Sequence, residues 1–216
     1  MRTALPLLAL CLISSACRGT APALNGTPER GISAVIIGGR FVIPAGEARS
    51  AQMAVNLEGE GADGETYRLR ILPKRPMLYQ IEPGSYRLSP TRTMFGTPQA
   101  ELKVVIQGRS YRARVPREIL RQSAVSVKPR RIVALGVIEA KLSAAAPGQQ
   151  PTLAISFDDS ITTRRRLVET VIHNMMDSSV PADERESAIA WTRALDLSLQ
   201  ELSSTSERAP LYKLSP

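Results

Sequence analysis

Residues 34–43 read AVIIGGRFVI and place β-branched side chains on both sides of a Gly-Gly pair. Side chains of this kind are favoured in strands, and two glycines between two such runs favour a tight two-residue turn. The stretch therefore predicts a β-hairpin centred on Gly38 and Gly39, with a single bulged strand as the alternative. In both cases the body of the chain begins as β structure.

Eight further short segments carry the strand pattern, and Pro and Gly turns separate them with no helix in between. They are residues 52–57, 66–72, 77–81, 85–88, 101–106, 110–115, 131–142 and 152–157. This arrangement predicts a mainly β domain over residues 32–158, built as an antiparallel β-sandwich of seven to nine strands or as an open barrel.

Arginine alternates with apolar residues in two of the predicted strands, at Arg68 and Arg70 in one and at Arg112 and Arg114 in the other. Because successive strand residues point to opposite faces, the arginines should face water while their neighbours face a core. Arg130 and Arg131 add two cations in a loop. If these six side chains converge, they form a cationic face suited to phosphate groups; a scattered, solvated arginine surface is the alternative.

Residues 81–88 read IEPGSYRL, in which Pro-Gly predicts a tight turn and the strand that leaves it points Tyr86 and Leu88 inward. The stretch resembles the PG-x-Y-x-L turn of transthyretin-like and carboxypeptidase-regulatory-like sandwich domains. Residues 128–138 look like a later strand of small bacterial lipoproteins built on such sandwiches, although Arg130 stands where a glycine is common. The resemblance implies the same sandwich for residues 32–158.

The periodicity changes after residues 158–160, an Asp-Asp-Ser cluster suited to capping a helix. Two apolar stripes at helical spacing then predict an αα-hairpin over residues 159–203, with Pro181 in the first turn of its second helix and a loose tail over 204–216. The stripes are Leu167, Val168, Val171, Ile172, Met175 and Met176, followed by Ala188, Trp191, Leu195, Leu199 and Leu202.

Residues 1–16 have the pattern of a secretory signal peptide: Arg2 precedes an apolar run of about ten residues, too short to span a bilayer. Small residues then lead directly to Cys17. This junction resembles the lipobox of bacterial lipoproteins, with Ser14 where leucine is most common. The resemblance implies that Cys17 carries lipid, palmitate included, and that residues 17–31 tether the body to a membrane.

Two alternatives concern location. Arg18 is not the Asp of an inner-membrane retention signal, so the resemblance implies an outer-membrane protein facing the periplasm. Ordinary cleavage after Ala16, or after residues 21–23, would instead release a soluble periplasmic or secreted protein.

The chain has 28 Lys and Arg against 20 Asp and Glu, a net charge of +8. Such a surplus favours anionic partners, for which we expect an envelope polymer or another envelope protein; export argues against nucleic acid. His173 is the single histidine, and no catalytic signature accompanies it. We therefore expect a binding or assembly module, not an enzyme, with no cofactor and no metal; a hydrolase with an unrecognised site is a remote alternative.

Overall fold

The computed structural model describes residues 31, 33–60, 65–89, 101–145, 150–176 and 185–208. The predicted signal peptide, Cys17, Pro181 and nearly all of the predicted tether lie outside these residues. Eleven strands and three helices form in the described part. They are β1 (Ser33–Ile43), β2 (Gly46–Glu47), β3 (Ala51–Gly59), β4 (Thr66–Ile71), β5 (Met77–Ile81), β6 (Gly84–Ser89), β7 (Glu101–Ile106), β8 (Arg109–Arg114), α1 (Arg117–Gln122), β9 (Val125–Val127), β10 (Ile132–Leu142), β11 (Leu153–Asp158), α2 (Ile161–Met175) and α3 (Arg185–Arg208).

Two mostly antiparallel sheets form the body, and a C-terminal pair of helices completes it, which confirms the predicted β-sandwich with helices. In the first sheet β1 pairs with β10 along one edge, in parallel, and with β5 and then β2 along the other. Strand β11 pairs with the outer edge of β10. The parallel pairing of β1 with β10 was not predicted.

Strand β3 is the centre of the second sheet. Met53 pairs with both Ile71 of β4 and Val104 of β7, so these two strands lie on opposite edges of β3. Strand β6 follows β7 along the same edge of β3. Strands β8 and β9 extend the sheet beyond β7 and β6.

The hairpin predicted at Gly38 and Gly39 is wrong, because β1 runs unbroken through both glycines. A single strand forms, as in the alternative prediction, but the bulge lies in its partner: the pairing register shifts after Ile36, where β10 contributes an extra residue. The glycines are needed for packing, since a Cβ at Gly38 would lie 2.7 Å from Leu167 Cδ2 and one at Gly39 would overlap Ile71 Cγ2.

The first sheet is covered on both faces, by the second sheet and by the helices. Val35 and Ile37 belong to the large core between the sheets, whereas Ile36 packs on the other face with Trp191 and Leu195. A strand buried on both faces has apolar residues at nearly every position. This is why residues 34–37 show no polar alternation.

The predicted inward positions of Tyr86 and Leu88 are confirmed, as both are buried. The Tyr86 hydroxyl donates to the Glu82 carbonyl oxygen at 2.7 Å and so bridges the Pro-Gly turn. Burial raises the pKa of Tyr86 and of Tyr67, whose rings meet edge to face. Both phenols therefore remain protonated and able to donate.

The prediction that no helix interrupts the strands is wrong, because α1 lies between β8 and β9. Six residues are too few to show a helical period in the sequence. Strands β2 and β9 are likewise too short to show an alternation.

The capping cluster before α2 is confirmed. Ser160 Oγ accepts a hydrogen bond from the Thr163 amide at 3.3 Å. Asp158 accepts from the Ser160 amide at 3.0 Å and from the Thr163 hydroxyl at 2.6 Å. The hydrogen bonds from Thr163 and Ser160 lower the pKa of Asp158, so the carboxylate stays ionised at the positive end of the helix.

Helix α3 continues to Arg208, which corrects the predicted start of the loose tail at residue 204. The physical reason is local, because the Ser204 hydroxyl donates to the Glu201 carbonyl oxygen at 2.9 Å and satisfies its hydrogen bond within the helix. No helix in the described part of the chain is both long and apolar enough to span a membrane.

Candidate anion-binding face

The outward face of the second sheet gathers five cations from three strands. They are Arg68 and Arg70 of β4, Lys103 of β7, and Arg112 and Arg114 of β8, and we call them the arginine face. Each is exposed and stands between inward-facing neighbours, as the alternation predicts. The structure therefore brings four of the six predicted arginines onto one surface.

Pairing across the strands aligns these cations in rows. Arg70 lies opposite Ala54, and Lys103 lies opposite Arg112. The β3–β7 register, extended by one residue, sets Ala54 beside Lys103. Lys103 and Arg112 are like charges on directly opposed residues, an arrangement that is destabilising. The short Ala54 side chain leaves room for an anionic group between Arg70 and Lys103.

A trough of about 410 Å³ occupies this space. Its floor and walls are formed by Gln52, Met53, Ala54, Arg68, Arg70, Lys103 and Val105. Gln52 Oε1 accepts a hydrogen bond from Arg70 Nη2 at 2.7 Å, which orients this guanidinium at the rim. Lys103 was missed as a candidate residue, although it stands between buried Leu102 and Val104 in the sequence and the same alternation could have identified it.

Within the described residues, the five cations of the arginine face form no ion pairs. Glu101 is the acid directly opposed to one of its members, Arg114, yet no described carboxylate forms an ion pair with any of the five cations. Cations elsewhere do form ion pairs: Arg40 with Glu47 and Glu139, Lys74 with Glu47, Arg121 with Glu118, Arg131 with Glu201, Arg164 with Asp159, and Arg165 with Glu169.

Arg130 and Arg131 do not join the arginine face, because they lie in the turn between β9 and β10. Arg131 Nη1 is 2.9 Å from Glu201 Oε1 of α3, whereas Arg130 is exposed. The six predicted arginines therefore divide into two separate sites.

Neither His173 nor the two aspartates at the start of α2 lines the trough. His173 is exposed on α2, and Asp158 and Asp159 hold the start of that helix, the second through Arg164 at 3.3 Å. In the described ranges no three His, Cys, Asp or Glu side chains are placed to hold a metal ion.

Comparison with known proteins does not identify a family for this chain. No protein family matches the chain, and no curated protein matches it.

Proposed function

We propose that this chain is a lipid-anchored envelope protein whose β-sandwich binds a phosphate-bearing envelope polymer through the arginine face. It acts as a binding or assembly module and not as an enzyme. The anchor is supported by the lipobox-like junction at Cys17 and the apolar run before it. By the same resemblance the protein works at the outer membrane, on the periplasmic side.

The arginine face is the observation that carries the binding proposal. Guanidinium groups pair with phosphate through two parallel hydrogen bonds, and four of the five cations are arginines. Arg68 and Arg70 are two residues apart on one strand, a spacing of about 7 Å. A sheet face with a shallow trough and several cations at such intervals suits a polymer or glycolipid with more than one phosphate.

Replacing Arg70 and Lys103 together with glutamine tests the binding site. Glutamine keeps a polar side chain of moderate length but removes both charges from the trough rim. We expect the dissociation constant for purified lipopolysaccharide to rise at least about tenfold, because a hydrogen bond to a charged group contributes about 1.5 kcal/mol or more. Surface plasmon resonance at fixed ionic strength measures this dissociation constant.

The matched control removes the same charge elsewhere, through Lys141→Gln and Arg185→Gln, both at exposed positions. It should bind as the unchanged protein does. Lipopolysaccharide stripped of its phosphates should bind as weakly to the unchanged protein as the intact form binds to the double variant. Equal losses in the two double variants would show that net charge alone matters and would refute the site.

Replacing Cys17 with serine tests the anchor. The lipobox resemblance implies that a thioether joins the cysteine sulfur to diacylglycerol, which carries the acyl chains. Serine has no such sulfur, so we expect radiolabelled palmitate incorporation to fall to background and the protein to leave the membrane fraction. Palmitate label that persists in Cys17→Ser would contradict the anchor. A mature N-terminus without lipid, read by mass spectrometry of the unchanged protein, would support the soluble periplasmic alternative.

A further inference from the structure

The chain enters the sandwich beside a turn rich in cations. Strand β1 begins at Ser33, whose hydroxyl donates to the Lys128 carbonyl oxygen at 2.9 Å. The next amide, of Ala34, donates to the Arg131 carbonyl oxygen at 3.0 Å. Residues 128–131, Lys-Pro-Arg-Arg, are thus joined to the first strand at its start, and we call them the basic turn.

The basic turn keeps an arginine where glycine would be favoured. The Arg131 amide donates to the Lys128 carbonyl oxygen at 3.2 Å and closes the turn, with Pro129 in its second position. Arg130, in the third position, has a φ of 60°, in the left-handed region that side chains other than those of Gly, Asn and Asp rarely adopt. A residue other than glycine held in such a conformation costs folding stability, so arginine occupies this position at a cost that glycine would avoid.

The two cations at the tip of this turn face solvent. Lys128 and Arg130 are exposed and have no described acid as an ion-pair partner, whereas Arg131 is held by Glu201. Glu201 pairs with one cation of the turn, Arg131, while Glu82 lies across β1: Ser33 pairs with Ile81, which precedes Glu82, on the edge away from β10. The charge around the chain entry is therefore positive on the β10 side.

We propose that the basic turn binds the phosphate headgroups of anionic membrane lipids, next to the point where the chain leaves for its anchor. The inference rests on the proposed anchor at Cys17, which fifteen residues separate from Ser33. Even a fully extended chain of that length reaches only about 50 Å, so the sandwich cannot move far from the bilayer surface. Contact there fixes the side of the sandwich that faces the membrane.

Vesicle flotation of residues 18–216, which omit the leader and Cys17 but retain the whole described fold, tests this turn apart from the anchor. Vesicles of phosphatidylcholine with and without phosphatidylglycerol are the probes. We expect binding only where phosphatidylglycerol is present, and about fivefold weaker binding in Arg130→Gly, since each cation near an anionic surface contributes to affinity by that factor. The same variant should melt at a higher temperature than the unchanged chain, because glycine relieves the positive φ.

Lys74→Gly is the matched control, because Lys74 also has a positive φ, of 58°, and also carries one positive charge. It lies next to Pro73, which bridges to Gly39, six residues or about 20 Å along β1 from the chain entry. It should bind vesicles as the unchanged chain does. Equal weakening in the two variants, or binding that ignores phosphatidylglycerol, would overturn the proposal.

The outcomes separate this proposal from the one before it. Palmitate labelling of the full chain decides the anchor without reference to the basic turn. A labelled chain whose Arg130→Gly variant binds vesicles normally would refute the membrane contact alone. An Arg70→Gln variant tests the arginine face in the same flotation assay. When it is combined with Arg130→Gly or with Lys74→Gly, the difference in vesicle binding between those two variants should be unchanged.

Discussion

Gly136→Ala is expected to lower the free energy of unfolding by at least about 3 kcal/mol. Gly136 has a φ of 140°, which lies outside the regions that L-residues occupy without strain. A Cβ built there would lie 2.5 Å from the Asp158 carbonyl oxygen and 3.1 Å from the Asp159 Cα. Both atoms belong to the backbone where β11 leads into α2, so no side-chain rotation can relieve the overlap.

Gly108→Ala provides the control for this substitution. Gly108 also has a positive φ, of 80°, but nothing lies within 4 Å of a Cβ built on it. Alanine there should cost only the backbone strain, about 1 kcal/mol. Urea unfolding followed by far-UV circular dichroism measures both losses. Similar losses at the two positions would mean that β11 moves away freely and that the β10 bulge is not fixed against the start of α2.

Trp191→Ala is expected to cost about 3–5 kcal/mol, the range for removing a large aromatic side chain from a core. Trp191 is fully buried and is the largest side chain between the helices and the first sheet, where it belongs to a cluster with Leu195 and Ile36. Removing the indole leaves a cavity that the rigid sheet cannot fill. The helical layer should therefore loosen before the sandwich unfolds.

Ile189→Ala in the same helix is the control, because Ile189 is 49% exposed and should cost about 0.5 kcal/mol or less. Hydrogen exchange resolves the location of the Trp191→Ala effect: amide protection should fall more in α2 and α3 than in β3 or β7. A Trp191→Ala variant no less stable than Ile189→Ala would contradict the docking of α3 on the first sheet.

Alternation along the strands made most of the sandwich and the arginine face predictable. A strand with one wet face repeats apolar and polar residues with period two, so Arg68 and Arg70 could be placed outside from six residues of sequence. The same rule placed Arg112 and Arg114. Their meeting on a single face depends on the order of β4, β3, β7 and β8, which local sequence does not encode.

The Gly-Gly pair shows why other features were not predictable. Glycine permits a turn, but it also permits close approach of other atoms, and the residues that approach, Ile71 and Leu167, lie far along the chain. Local sequence favoured the hairpin because it carries no information about those distant contacts. Arg130 and Arg131 were grouped with the strand arginines for the same reason, since only the fold separates them from that face.

The parallel pairing of β1 with β10 sets an order for folding. Ala34 pairs with Ile132, so 98 residues, the difference between these positions, must be in place before the central ladder of the first sheet can form. Pairing between distant segments is slow because loop closure comes before any stabilising contact. Until then the apolar strand β1, the first described element along the chain, lacks its partner strand β10. While the chain folds, this apolar segment is open to aggregation, and its exposure ends only when β10 arrives.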